Sequence, residues 1–113
     1  MRIEDCPVKT ALDVIGGKWK PLILFALKEE TLRFGELRRR IPGATHKVLT
    51  EQLRQLEASA VIQRSVVPDA QPHTEYSLSA YGRTLRPVLT LLAEWGSAHR
   101  DLSLKSPRMT RSA

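Results

Sequence analysis

One cysteine, Cys6, is too few for an intramolecular disulfide, a CxxC redox pair or a zinc ribbon. Only three histidines occur, His46, His73 and His99, far apart and without metal-ligand spacing. No apolar run approaches the roughly 20 residues that span a bilayer, so a membrane partner is not expected. The opening "MRIEDCPVK" carries Glu4 and Asp5 and lacks the apolar stretch of a signal peptide, which implies a cytoplasmic protein. GxSxG, HExxH, the phosphate loop and the dinucleotide fingerprint are all missing, and with them any motif for an enzyme or a cofactor. Trp, Tyr and Phe occur twice each, too few for the stacking platform of a single-strand RNA reader.

What is present is positive charge. Eighteen Lys and Arg stand against twelve Asp and Glu in 113 residues, a net +6. That balance suits a polyanionic partner, and its position says more than its size. Residues 33–64 hold seven bases and three acids. The length fits one domain, over residues 1–102, with the polar end 103–113 expected to be a disordered tail.

The periodicity predicts helices over 7–15, 18–28 and 34–41. Pro7 suits a first helical position, Gly16-Gly17 a stop, and Pro21 a first turn. Pro42-Gly43 breaks the third helix. Thr45 then caps a fourth, in which Leu49, Leu53 and Leu56 form one face and His46, Lys47, Thr50, Glu51 and Arg54 the other. After Ala60 the period changes: "VIQRSVV" and "TEYSL" read as two strands around the six-residue loop "PDAQPH". Ser79 is expected to cap a last helix, kinked by Pro87.

Two short helices around a Gly-containing turn, followed by a hairpin, make a mainly α fold with a small β-hairpin, the winged helix-turn-helix. Its second helix enters the major groove of double-stranded DNA. The leucines dock that helix, while Thr45, His46, Lys47, Thr50, Glu51 and Arg54 face bases and phosphates. Arg38, Arg39 and Arg40 are expected on phosphates, and Arg64 or His73 on the backbone or in the minor groove. The competing reading is a winged-helix module that binds protein or RNA without operator specificity.

The apolar residues of the last helix occupy an arc too wide for a small monomer. A two-fold homodimer through the N- and C-terminal helices is therefore expected, with Val8, Leu12, Ile15, Leu89, Leu92 and Trp95 at its interface. Cys6 precedes Pro7 at a helix start, where backbone donors and the dipole favour a thiolate. It is a candidate redox sensor, or else a small apolar residue at the dimer interface.

Three blocks in register also resemble a family. "CPV" with "ALDVIGGKWKPLIL", then "RFGELRRRIPGATHKVLTEQLRQLEA", then "TEYSLSAYGRTLRPVL" with "LLAEWG", are similar to HxlR-type regulators, a MarR-like group of bacterial transcription factors. The resemblance covers residues 6 to about 96. It implies a homodimeric repressor or autoregulator on a pseudo-palindromic operator, with Thr45, His46, Lys47, Thr50 and Arg54 at groove positions. It also implies that the cysteine matching Cys6 receives an oxidant or electrophile signal in several members; a small-molecule signal has no residue pattern here. Two departures stand out. The family's Asp-Gly turn after the recognition helix is Ser59-Ala60 here, and a basic wing residue is replaced by His73.

Overall fold

Pro7 opens the first helix, α1 (Pro7–Ile15), and Gly16 closes it, its N–H bonded to the Leu12 carbonyl at 2.7 Å. Gly17 follows in the left-handed region at φ +94°, a turn that suits a residue without Cβ. It delays the second helix, α2 (Lys20–Ala26), by two residues relative to the periodicity. These elements come from a computed structural model that describes residues 1–105.

A two-residue strand, β1 (Leu32–Arg33), leads into α3 (Phe34–Arg40), then α4 (His46–Ala58), β2 (Ile62–Val67), β3 (His73–Leu78) and α5 (Arg86–Lys105). The strands form an antiparallel sheet in the order β1-β3-β2, with Leu32 opposite Tyr76 and Ile62 opposite Leu78. The sequence shows only the hairpin, because two residues cannot display an alternation. His73 lies inside β3, opposite Val67, so the loop is 68–72.

The core lies where α2, α3 and α4 meet the sheet. Ile23, Leu24, Leu37, Leu49, Leu53 and Leu56 are all essentially inaccessible there. The turn before α4 passes over the Trp19 ring: a Cβ on Gly43 would lie 3.6 Å from it, and Gly43 has φ +100°. Ala60 makes the turn after α4 without a glycine by adopting φ +64°, which costs an L residue on the order of 1 kcal/mol.

Three expectations about the C-terminal half need correction. Ser79 does not cap the long helix. Its hydroxyl donates to the Ala60 carbonyl at 2.6 Å and accepts from Gly82 N–H at 2.8 Å, closing a short 3-10 turn at Gly82–Leu85. Pro87 does not kink α5 either; it is the helix's second residue, where a backbone donor has no intrahelical acceptor. Arg86 anchors this start by donating from Nε to the Lys28 carbonyl at 2.8 Å. Finally, α5 runs on to Lys105, past the expected boundary at 102. The remaining expectation of a disordered tail, 106–113, falls outside the described residues.

Two of the six expected dimer residues belong to the monomer's own core: Ile15 is 6% and Leu89 2% exposed. Their partners on the same stripes stay open, with Leu12 at 56% and Trp95 at 70%. Val8, Leu22, Phe25 and Leu92 are exposed as well. The radius of gyration, 16.3 Å, exceeds the ~13 Å of a compact chain of this length, because α5 projects. No helix among the described residues is long and apolar enough to cross a membrane.

Candidate nucleic-acid interface

The site begins at two helix starts. Glu36 accepts from the Arg33 N–H at 2.9 Å and fixes the first turn of α3. Thr45 Oγ1 accepts from Val48 N–H at 3.1 Å, the N-cap of α4 that the sequence predicts. With Leu49, Leu53 and Leu56 buried, the opposite face of α4 points to solvent, and His46, Lys47, Glu51 and Arg54 are exposed on it. His46 leans on the Phe34 ring at 4.7 Å, and its Nδ1 is 3.5 Å from Thr50 Oγ1, which orders the start of the face. Thr50 itself is half-buried.

Basic residues predicted from the sequence separate into open and engaged. Arg38 and Arg39 are exposed at the end of α3, with no carboxylate within 4.0 Å among the described residues. Arg40 is committed to the protein. It grips Glu30 through both terminal guanidinium nitrogens, which holds the Glu30 carboxyl below its usual value and pushes Arg40 above its own. Arg40, expected on a phosphate, thus meets Glu30, ten residues earlier, in the free protein.

The wing is engaged in the same way. Arg64 Nε is 3.5 Å from Glu57 Oε1 and ties β2 to the end of α4. The His73 side chain is 15% exposed, with Nε2 at 3.1 Å from Glu75 Oε2. It pairs with Val67 in the last rung before the wing tip, and its ring meets Glu75 rather than solvent. The tip, 68–72, carries one charged residue, Asp69. Tyr76, on the core side of the same strand, has its hydroxyl pKa raised by burial first and by nearby Glu57 second.

Sequence reasoning missed two residues. Lys20 Nζ donates to Gln55 Oε1 at 2.6 Å, and Gln55 Nε2 donates to Glu51 Oε1 at 3.1 Å. The i,i+4 spacing of Glu51 and Gln55 was a visible signal for the second bond. Nothing local announces a lysine 35 residues away.

Among the described residues no group of three or more His, Cys, Asp or Glu is arranged to hold a metal ion. Cys6 is half-buried at the residue before α1, and its carbonyl accepts from the Lys9 and Thr10 N–H groups.

A helix-turn-helix backed by a three-stranded wing defines a winged-helix DNA-binding transcriptional regulator. Residues 14–103 match the HxlR-like helix-turn-helix family, and the chain belongs to it. It is 46% identical over 99 residues to the HTH-type transcriptional regulator YybR of Bacillus subtilis (strain 168), spanning 88% of this chain and 79% of that one. The structure of the redox regulator HypR in its reduced form aligns with a TM-score of 0.82 at 43% identity, over 88% of this chain and 99% of HypR. HypR in its oxidised form aligns at 0.79 with 45% identity, over 82% and 96%. The structure of YtcD, also a Bacillus subtilis regulator, aligns at 0.79 with 47% identity, covering 85% of this chain and 98% of its own. YybR and YtcD are described as HTH-type transcriptional regulators, a family that is not enzymatic.

Proposed function

We propose that the chain is a cytoplasmic repressor or autoregulator that binds a pseudo-palindromic operator as a homodimer. The observation that carries this reading is the outward face of α4, where Lys47 and Arg54 stand clear of the core; Arg38 and Arg39 are open at the end of α3. A helix of this width fits the major groove, and its arginine and lysine can donate to guanine or phosphate. The homodimer is supported by the uncovered apolar residues of α1 and α5. A two-fold pair would set two recognition helices about 34–36 Å apart, one turn of DNA. An exposed apolar stripe of this size is unusual on a monomer.

The test is a mobility-shift assay on fragments selected from the source genome. Arg54 is 73% exposed, so Arg54→Ala leaves the melting temperature unchanged. It weakens operator binding by about 1–3 kcal/mol, roughly 5- to 150-fold. Unchanged affinity would move the reading face elsewhere. A wild-type protein without preference for any duplex would favour the protein- or RNA-binding module instead.

A second reading concerns the signal. Similarity to HypR, described as a redox regulator and known in oxidised and reduced forms, supports Cys6 as the receiver of an oxidant or electrophile. With no second cysteine in the chain, oxidation leads to a bridge between subunits or to a mixed disulfide, and an electrophile alkylates the thiol. Under mild oxidant the wild type changes its operator affinity severalfold while Cys6→Ser does not. Identical responses would remove Cys6 from the signalling role.

A further inference from the structure

We propose that Glu51 reads a cytosine in the operator half-site and that Lys20, on a different helix, is the residue that positions it. The inference rests on the DNA-binding reading above and assigns a specific task within it.

Glu51 follows Lys47 by four residues and precedes Arg54 by three, so it lies between two bases on the outward face of α4. An acid there is out of place on a surface that meets phosphates, unless it is compensated and has a donor to accept from. Both conditions hold. Arg54 NH1 is 3.9 Å from Glu51 Oε2, and Gln55 Nε2 donates to Glu51 Oε1 at 3.1 Å.

Gln55 is itself fixed by Lys20, whose ammonium donates to the amide oxygen at 2.6 Å. The amide orientation follows from chemistry, since only its oxygen accepts from an ammonium and only its NH2 donates to a carboxylate. Turning the amide over would oppose like to like at both ends. The chain Lys20–Gln55–Glu51–Arg54 thus places one negative charge between two positive ones and holds the carboxylate on the groove side. An ionised carboxylate only accepts, and the base donor that glutamate matches in the major groove is the cytosine N4 amino group.

Lys20 stands at the first residue of α2 and is half-buried. It acts through Gln55 rather than on DNA, which separates it from a phosphate contact. The experiment selects bound duplexes from a randomised pool with wild type, Glu51→Ala, Lys20→Met and Lys20→Arg, each checked for an unchanged melt. It then measures affinity for the winning duplex against salt. Wild type prefers cytosine at one half-site position by roughly tenfold. Glu51→Ala flattens that position alone; Lys20→Met flattens it severalfold without changing the salt slope; Lys20→Arg restores it. If Lys20→Met weakens all duplexes alike and lowers the slope by about one, Lys20 is a phosphate contact and the proposal is overturned. Unaltered base preferences in Glu51→Ala overturn it as well, with the DNA reading intact. A wild type that binds no duplex overturns both together.

Discussion

Raising salt from 50 to 200 mM is expected to weaken operator binding roughly a thousandfold or more. Each neutralised phosphate releases counterions, and the slope of log affinity against log salt is about −0.9 per contact, so six or more contacts produce a loss of this size. On the proposed reading, the exposed Arg38, Arg39 and Lys47 offer three phosphate contacts per subunit, and a homodimer would supply six. Titration by fluorescence anisotropy at four or five salt concentrations gives the slope. A value near −5 fits the pair, one near −2.7 fits a single subunit, and a flat line would mean that duplex DNA is not the partner.

Replacing Gly82 by alanine is expected to cost about 3 kcal/mol, because the added carbon has nowhere to go. A Cβ at position 82 would lie 1.8 Å from the Val61 carbonyl oxygen. That oxygen is already held by the Ser79 N–H at 3.1 Å, and the Ser79 hydroxyl is held by Ala60 and Gly82. The start of β2, the end of β3 and the entry to α5 are pinned there together, so the strain has no soft outlet. For a domain of this size the loss lowers the melting temperature by roughly 10–25 °C. Gly35→Ala is the control. Its nearest neighbour would be the flexible Arg39 guanidinium at 3.7 Å, and alanine in a helix is neutral or better by about 0.5–1 kcal/mol. Equal melts for both variants in circular dichroism would show that the clasp at Val61 yields.

The sequence made legible whatever is decided within a few residues. Pro7, Thr45 and the leucines of α4 act through local geometry and period, and the structure has them where the pattern puts them. Apolar stripes were legible as stripes, but what each one packs against was not. Leu89 and Leu92 lie three apart on α5, yet one is buried in the core and the other is open. A period reports that a face is apolar, whereas the division between own core and partner depends on how α5 is set against α2. The same limit applies to the charged residues. Arg38, Arg39 and Arg40 are alike in sequence, and only the arrival of Glu30 from the preceding loop sets Arg40 apart. Pro87 was misplaced because the apolar period runs unbroken through the 3-10 turn and hides the true start of the helix.

The acid at the tip of the hairpin has a consequence for how such a protein holds its target. In the proposed complex a carboxylate at Asp69 would be repelled by the sugar-phosphate ridge that a basic fingertip would clasp. The expected footprint is correspondingly short, with discrimination concentrated in the few base pairs beneath α4.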